Sequence, residues 1–267
     1  MTSFRGLVRA FARGDELCKI AGPGCPYTLP VGGRPLIRHA VKAVCDAGAT
    51  QILVAVDATV AEAVVPAIGE VNGADVHVAI QPADDDEATA RAVEKTLGTD
   101  GPLLFMAADT LVDPGAELAD ADVIELPVAW SYDGTVDGVL EANTIALDGM
   151  KRGRVGVDLS NASVQGRVHI DPSAQLEGAK LRGPVYIGPG ARVVETYVGP
   201  YTTVGAGVTL EGVEIEHSIV LPDAEIRYPG RRLEASLVGE GAQIGRDYSL
   251  PSALRLRVGP GSEIQLS

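Results

Sequence analysis

Charged residues that could hold a phosphorylated ligand and a metal ion lie in the first half of the chain. Asp109 directly follows an apolar segment, and Asp133 lies in a polar segment further along. Carboxylate oxygens are ligands that Mg²⁺ prefers, and the cations Arg13, Lys19 and Arg34 can bind phosphate oxygens. One hypothesis from these residue types is an enzyme whose cations hold a phosphorylated substrate while Asp109 and Asp133 hold Mg²⁺.

Strand and helix patterns alternate around these residues. Apolar segments predict strands at 6–11, 51–56, 76–80 and 102–106, and helical spacing predicts helices at 34–47, 60–68 and 87–97. This alternation favours a Rossmann-like α/β fold with a parallel sheet and right-handed crossovers. Ligands of such sheets bind beyond the carboxyl ends of the strands, which here include residues 10–13 and 107–110.

From residue 164 onward the chain repeats with a period of six residues, sometimes five. Units such as IGPGAR and VGAGVT open on an aliphatic residue, and Gly, Pro, Asp or Glu follows. This hexapeptide pattern is typical of a parallel β-helix, in which aliphatic side chains stack inward and glycine suits the tight corners. About five coils fit into 164–264. We therefore predict two domains, an α/β domain at 1–150 and a β-helix at 151–267.

Composition and charge exclude several classes of function. The net charge is −14, and residues 51–150 hold two cationic and twenty acidic residues. Such a surface repels nucleic acid and anionic lipid, and no apolar run is long enough to cross a membrane. Three cysteines without a C-x-x-C pair argue against a thiol zinc site. These cysteines, together with the arginines inside the first apolar segment, predict a cytoplasmic protein with reduced thiols.

Two groups of residues within the repeats suggest other chemistry. Some hexapeptide β-helix proteins are acyltransferases with a histidine base, and His169 and His217 lie in the repeats. An acyltransferase is a minor alternative, and serine–histidine catalysis is less favoured still, because the sequence has no nucleophile elbow. Arg227, Arg231 and Arg232 lie in an irregular stretch, where we expect a loop that forms salt bridges or holds a phosphate.

Several segments resemble the sugar-1-phosphate nucleotidyltransferases, and most closely the long glucose-1-phosphate thymidylyltransferases. In the repeats these are VQGRVHI, LRGPVYIGPGARV, YVGPYTTVGAGVTL, VEIEHSIVL and the tail LPSALRLRVGPGSEIQL. VLEAN at 139–143 resembles the L-L-E-A-N helix that joins that family's two modules, and LPVGGRPLIRHAV at 29–41 resembles its P-V-G-G-K-P-L-I segment. The resemblance implies a Rossmann-like nucleotidyltransferase domain followed by a left-handed β-helix. It also implies attack by a sugar phosphate on the α-phosphate of a nucleoside triphosphate.

The phosphate-binding motif of that family, roughly L-A-A-G-x-G-T-R-L, aligns without a gap with RAFARGDEL at 9–17. Gly14 is kept, and Arg13 precedes it. The chain departs from the family at four positions: Ala12 replaces a glycine, Asp15 a threonine, Glu16 the catalytic arginine and Pro26 the lysine of a later P-K pair. A carboxylate beside a triphosphate costs about 1–4 kcal/mol for each close pair in a partly solvated site.

The remaining family motifs are kept only in part. The base-reading motif, Q-x-x-x-x-G-T-A-x-A, resembles QPADDDEATARA at 81–92 and assigns nucleotide binding to Gln81. The Mg²⁺-binding G-D-x motif keeps Asp109, but the W-x-D-x-G-T motif has Tyr132 at the metal position and Asp133 one residue later. The family separates these two motifs by many tens of residues that form most of the sugar-binding half. Here only twenty residues separate Asp109 from Trp130.

These departures favour a shortened, degenerate nucleotidyltransferase-like domain without catalysis. We expect a protein that regulates or scaffolds an intact nucleotidyltransferase of a nucleotide-sugar pathway. The main alternative is an active transferase with altered chemistry on a phosphorylated sugar-like substrate. A homo-oligomer formed through the β-helix is expected under each interpretation.

Overall fold

The computed structural model describes residues 4–12, 15–81, 85–113, 115, 118, 121–150 and 158–246. None of the helices in this part of the chain has the length and apolar character needed to cross a membrane. The α/β part contains these elements: β1 (Phe4–Ala10), α1 (Glu16–Ala21), β2 (Pro30–Val31), β3 (Arg34–Pro35), α2 (Leu36–Asp46), β4 (Ala49–Asp57), α3 (Ala61–Ile68), β5 (Asp75–Gln81), α4 (Asp86–Leu97), β6 (Leu103–Ala107), β7 (Thr110–Val112), β8 (Val123–Glu125), β9 (Val128–Ser131) and α5 (Val136–Asp148).

The main sheet of this part is parallel, with strand order β5-β4-β1-β6-β8. Val8 of β1 pairs with Val54 of β4 and with Met106 of β6, and all three are buried. Their face of the sheet packs against the apolar residues of α2 and α3, and the opposite face packs against α4. The α/β fold and all four predicted strands are confirmed, because alternating apolar segments and amphipathic helices specify this arrangement locally.

The sequence analysis did not predict α1, β8 or the antiparallel pair β7–β9. Helix α1 has six residues, too few for a helical period to show. Asp15 starts this helix, since its side chain accepts a hydrogen bond from the backbone N–H of Cys18. In the β7–β9 pair, Leu111 lies opposite Trp130, and this pairing brings the chain back toward the end of β6.

Fifteen short strands follow between residues 162 and 245 and form three five-stranded parallel sheets. Val168 pairs with Val185, Thr203 with Ile219 and Ile219 with Leu237, so corresponding residues recur every 16 to 18 positions. This spacing equals three units of five or six residues, and the aliphatic side chains stack in one buried core. The parallel stacks fit a β-helix. The strands are β10 (Ala162–Gln165), β11 (Val168–Ile170), β12 (Gln175–Glu177), β13 (Ala179–Arg182), β14 (Val185–Ile187), β15 (Arg192–Val194), β16 (Tyr197–Val198), β17 (Thr202–Val204), β18 (Thr209–Glu211), β19 (Glu214–Glu216), β20 (Ile219–Val220), β21 (Glu225–Arg227), β22 (Leu233–Glu234), β23 (Leu237–Val238) and β24 (Gln243–Gly245).

Glycine suits the corners of these coils, but other residues also adopt a positive φ there. Six other residues have a positive φ there: Glu195, Tyr201, His217, Asp223, Tyr228 and Ala235. The backbone N–H of Tyr201 donates to the Pro184 carbonyl at 2.7 Å, and that of His217 donates to Pro200 at 2.9 Å. Hydrogen bonds to the preceding coil thus offset the steric cost of the left-handed conformation at these corners.

Asn143 of α5 joins the two parts of the molecule. Its side chain is fully buried. Its Oδ1 accepts hydrogen bonds from the Gly32 N–H at 2.8 Å and the Thr203 hydroxyl at 2.7 Å, and its Nδ2 donates to the Tyr201 carbonyl at 2.9 Å. One side chain therefore ties the β2–β3 turn and the β-helix to α5. The predicted domain boundary at residue 150 adjoins residues 151–157, outside the described residues, and stays a prediction.

The glycine pair of the β2–β3 turn also has a packing reason. A Cβ on Gly32 would lie 2.8 Å from the Cβ of Ala146 in α5, and a Cβ on Gly33 would overlap the ring of Tyr186 in β14. Both glycines have a positive φ. The V-G-G sequence therefore allows the turn to approach both α5 and the β-helix closely.

Candidate functional site

The carboxyl ends of four parallel strands lie side by side, and polar residues end or follow three of them. Gln81 ends β5 and pairs with Asp57 at the end of β4. Ala10 ends the neighbouring strand β1, and Asp109 follows β6 on the other side of β1. Because the strands are parallel, these ends share one edge of the sheet, where the sequence predicted ligand binding.

Asp57 is the buried acid at this edge that the sequence analysis missed. Its carboxylate accepts hydrogen bonds from the N–H and the hydroxyl of Thr59, both at 2.7 Å. Burial opposes ionisation of Asp57, but these bonds and one from the Ala12 N–H hold its pKa below the ordinary value. The hydroxyl of Tyr27 donates to the Phe11 carbonyl. Asp57 and Tyr27 therefore hold Phe11 and Ala12, directly after β1, in place. The D-A-T sequence at the end of an apolar strand was the available signal for Asp57.

The phosphate-loop residues Arg13 and Gly14 lie outside the described residues. Glu16, at the position of the family arginine, is exposed in the first turn of α1, where the helix dipole favours an acid. Pro26, at the position of the family lysine, is buried in the turn that follows α1. The described motif positions thus carry local structural roles.

Four side chains from two distant segments form what we call the thiol–tyrosine cluster: Asp15, Cys18, Cys25 and Tyr132. The Asp15 carboxylate accepts from the Tyr132 hydroxyl at 2.9 Å and from the Cys18 N–H at 3.0 Å. The Cys18 thiol donates to the Cys25 sulfur at 2.6 Å. Their sulfurs lie 3.7 and 3.9 Å from the Tyr132 oxygen. Three of the four stand at positions that the resemblance assigned to other chemistry: Asp15 for a threonine, Cys25 for a proline and Tyr132 for a metal-binding aspartate.

Electrostatics keep one member of the cluster charged and three neutral at neutral pH. Burial opposes ionisation of Asp15, but the hydrogen bonds from Cys18 and Tyr132 hold its pKa below the ordinary value. Burial raises the pKa of both thiols. Burial, followed by the hydrogen bond to Asp15, also raises the pKa of Tyr132. The cluster therefore holds an anion solvated by neutral donors, and it offers no activated nucleophile.

The side chain of Gln81, which is predicted to bind the nucleotide, forms its hydrogen bonds within the chain. It is buried, and its Nε2 donates to the Thr89 hydroxyl oxygen of α4 at 3.0 Å. The acidic run after it starts the same helix, since Asp85 accepts from the Ala88 N–H at 2.9 Å. Asp86 pairs with Arg9 of β1 at 3.0 Å. These contacts use the amide and the described acids of this run for the helix and its attachment to the sheet.

Asp109 and Asp133, the predicted metal ligands, have different environments. Asp109 is only 4% exposed, whereas Asp133 is exposed and accepts from the N–H and hydroxyl of Thr135 at 2.9 and 2.8 Å. These bonds lower the pKa of Asp133. Across the described residues no three His, Cys, Asp or Glu side chains come close enough to hold a metal ion. Mg²⁺ is commonly held by one or two carboxylates together with substrate phosphates, so metal binding by Asp109 and Asp133 stays a prediction.

The connection between the segments that resemble the G-D-x and W-x-D-x-G-T motifs is short. Strands β7 and β9 pair directly after Asp109, and the Tyr132 N–H donates to the Asp109 carbonyl at 2.9 Å. Trp130 and Tyr132 are buried in a cluster with Leu111 and residues of α5. The segment that follows β6 thus returns to the same edge of the sheet within about two dozen residues.

The candidate histidines of the repeats are packed against aromatic rings. His169 stacks on Tyr186 with ring centres 5.1 Å apart, and His217 lies 5.1 Å from Tyr201. Burial lowers the pKa of His169, and the charge of Arg34 adds to this effect. The predicted part of Arg34 among phosphate-binding cations stays a prediction.

The arginines of the irregular stretch form ion pairs within the β-helix. Arg232 contacts Glu216 at 2.9 Å and Glu214 at 3.4 Å. Arg227 contacts Glu211 at 3.3 Å, and it ends β21 instead of lying in a loop. The expected salt bridges thus connect neighbouring coils, and the repeat continues through this stretch.

Comparisons with known proteins come from curated relatives, since no family model matches the chain. The low-salt glycan biosynthesis nucleotidyltransferase Agl11 of Haloferax volcanii is 41% identical over 163 residues, which cover 60% of this chain and 44% of Agl11. The glucose-1-phosphate thymidylyltransferases of Streptomyces griseus and Streptomyces antibioticus are 33% and 32% identical, over 60% and 58% of this chain and 44% and 43% of their own lengths. These matches support the sugar-1-phosphate nucleotidyltransferase family. The chain spans less than half the length of each relative.

Proposed function

We propose that this protein is a non-catalytic relative of the sugar-1-phosphate nucleotidyltransferases that regulates or scaffolds an intact enzyme of a nucleotide-sugar pathway. The observation that carries the proposal is the thiol–tyrosine cluster. Two of its members, Asp15 and Tyr132, occupy positions that the resemblance assigns to phosphate and metal binding, and the four side chains satisfy one another's hydrogen bonds. A site whose polar groups are paired internally must break those pairs before it binds a ligand.

Electrostatics support the absence of nucleotide turnover. A nucleoside triphosphate would meet the ionised Asp15, whose pKa is held low, and the exposed Glu16. Each close pair of like charges costs about 1–4 kcal/mol in a partly solvated site. Arg9, the cation on the neighbouring strand, pairs with Asp86 and lies over the Phe11 ring, 4.9 Å from its centre. The charge that phosphoryl chemistry must neutralise therefore meets more repulsion than attraction among these residues.

The loop and the short connection support the same conclusion by shape. Hydrogen bonds to Asp57 and from Tyr27 hold Ala12 and Phe11, directly after β1, in place. The β7–β9 pair occupies the place where the resemblance implies a sugar-binding half.

The test is a calorimetric titration of the full chain with dTTP and UTP, each with and without Mg²⁺. A pyrophosphate-release assay with glucose-1-phosphate follows, and an intact thymidylyltransferase under the same conditions is the positive control. We expect no binding at micromolar nucleotide and no pyrophosphate release. Micromolar binding followed by turnover would contradict the proposal.

The proposal includes assembly and partners. We infer a homo-oligomer through a left-handed β-helix, an interaction with an intact nucleotidyltransferase, and a cytoplasmic location. Light scattering tests the assembly, and a monomer at micromolar concentration would contradict it. Pull-down of a purified intact relative by the immobilised chain tests the interaction. The variant Arg232→Glu, which changes the charge on the surface of the β-helix, is the control.

A transferase with altered chemistry on a phosphorylated sugar-like substrate is the second candidate, favoured by one observation. Asp109 is a buried acid at the ligand-binding edge of the sheet. If any sugar-phosphate-dependent activity is found, Asp109→Asn must abolish it while leaving the fold intact by circular dichroism. Activity that survives this substitution counts against the site.

A further inference from the structure

Two of the three cysteines are brought together by the backbone that follows α1. The helix ends at Ala21, and Gly22, with a φ of 87°, donates its N–H to the Cys18 carbonyl at 3.2 Å. The Cys25 N–H then donates to the Gly22 carbonyl at 3.4 Å. Because positive φ at Gly22 and Gly24 reverses the chain, the sulfur of Cys25 returns to within 2.6 Å of that of Cys18.

We propose that Cys18 and Cys25 form a reversible intramolecular disulfide by exchange with a low-molecular-weight disulfide. A disulfide bond is about 2.05 Å long, so the two sulfurs need to approach only slightly. Both cysteines are reduced in the structure. This inference stands on the pair itself and does not depend on the proposed function.

The third cysteine provides an internal comparison. Cys45 lies in α2, and its thiol donates to the Asn72 carbonyl at 3.7 Å. It is half-buried, as Cys18 is, but its contact is a carbonyl oxygen and not a sulfur. Reaction with a small disulfide can therefore give Cys45 a mixed adduct, whereas Cys18 has a resolving thiol beside it.

Exposure sets the order of the exchange. Cys18 is half-buried and Cys25 is 3% exposed, so the reagent reaches Cys18 first. The Cys18 thiol gives its proton to solvent, and its sulfur attacks the reagent disulfide and displaces one thiolate. The deprotonated Cys25 sulfur then attacks the Cys18 sulfur and displaces the second thiolate. Two protons from the protein thiols end on two released thiols, so the pair is oxidised and one reagent disulfide is reduced.

The bond would alter the cluster at its centre. Both sulfurs contact the Tyr132 oxygen, which in turn donates to Asp15 at the start of α1. Oxidation removes the thiol hydrogen that now lies between the sulfurs and links α1 covalently to the turn after it. Because cross-linking reduces the freedom of the unfolded chain, we expect a higher thermal midpoint for the oxidised form.

The experiment incubates the full chain with oxidised glutathione over hours, since burial raises the pKa of both thiols. Free thiols are then counted in denaturant, and the protein is digested with trypsin, which separates the two cysteines at Lys19. We expect the free thiols of the pair to disappear, with the Cys18 and Cys25 peptides linked to each other. Dithiothreitol should restore both thiols.

Matched variants make the outcome decisive. Cys45→Ser should form the link as the native chain does, and Cys25→Ser should instead keep glutathione on Cys18. Cys25→Ala serves if the serine variant does not fold, and the peptide map of the native chain stands without either variant. Persistent glutathione on both cysteines without a linked peptide would overturn the proposal, as would a link that joins two chains.

Discussion

Two buried polar networks hold distant segments together in this molecule, and they relate to the family differently. The first surrounds Asn143, where one amide satisfies groups from the β2–β3 turn and the β-helix. Its residues lie in segments that resemble the nucleotidyltransferases closely. The second is the thiol–tyrosine cluster, where Asp15 and Tyr132 meet at positions that depart from the family motifs. The segments around Asn143 follow the resemblance, whereas Asp15 and Tyr132 stand at positions where the chain differs from the motifs of the resemblance.

The difference indicates which structural requirement each of the two networks fulfils. The contact between the two parts of the molecule around Asn143, here called the joint, requires an amide with a donor and an acceptor in fixed places. It also requires glycines that allow the β2–β3 turn to approach α5 and the β-helix closely. In the second network, the described side chains of Asp15 and Tyr132 are instead hydrogen-bonded to each other. Substitutions in the two networks can test whether both now serve stability alone.

The largest effect is expected at the joint. Asn143→Ala leaves the Gly32 N–H, the Tyr201 carbonyl and the Thr203 hydroxyl without their buried partner. Unsatisfied buried groups are costly, so we expect a loss of about 3 kcal/mol in the free energy of unfolding. Urea unfolding followed by circular dichroism measures it. Asn72→Ala, an exposed asparagine, is the control, and a loss as small as in that variant would show that the amide does not hold the joint.

A smaller loss is expected at the loop after β1. Asp57→Asn weakens the bonds from Thr59 and from the Ala12 N–H, which we expect to cost about 2 kcal/mol at neutral pH. The folded pKa of Asp57 lies below the unfolded value of about 3.9. Its stabilisation is therefore complete above that value and is lost as pH falls through the folded pKa.

Urea unfolding of native protein and Asp57→Asn between neutral and acidic pH measures this dependence. The difference between the two proteins should shrink on acidification. Asp158→Asn is a matched control, because Asp158 makes the same kind of turn with Ser160 on the surface. An equal loss in both variants would show that burial of the Asp57 turn contributes nothing.

Local pattern was enough to predict the strands of the α/β sheet and the period of the β-helix. The alternation of apolar runs and helical spacing, and the aliphatic residue at the start of each unit, are repeated many times and depend only on near neighbours. The sheet edge could also be predicted, since parallel strands end together. Asp109 and Gln81 accordingly lie at that edge.

The contacts inside the site could not be predicted in the same way. Asp15 and Tyr132 are 117 positions apart, and only the return of the chain through β7 and β9 brings them together. The pairing of Cys18 with Cys25 depends on two glycines with positive φ after a six-residue helix, a turn too short to show a period. Asp57 lies in none of the quoted family motifs, and its hydrogen bond from the Ala12 N–H depends on the pairing of β1 with β4.

A modest effect is expected within the cluster. Tyr132→Phe removes the hydroxyl that donates to Asp15, and we expect a loss of about 1 kcal/mol in the free energy of unfolding. Urea unfolding at neutral pH measures it. Tyr228→Phe removes a similar bond to Glu211 on the surface of the β-helix, at 3.0 Å, and should change stability less. If the two variants are equally stable, the cluster is no more than a surface contact.

The smallest effect on stability is expected at Glu16, where the resemblance implies an arginine and where charge can be tested apart from shape. Glu16→Arg restores the cation that the resemblance implies, and because Glu16 is exposed we expect the free energy of unfolding to change by less than about 0.5 kcal/mol. Glu62→Arg makes the same charge change in the first turn of α3 and is the matched control. Calorimetry with dTTP and Mg²⁺ should show no binding to either variant, since Asp15 stays ionised and the loop stays tied to Asp57. Binding to Glu16→Arg alone would mean that a single charge, and not the rebuilt cluster, keeps the nucleotide out.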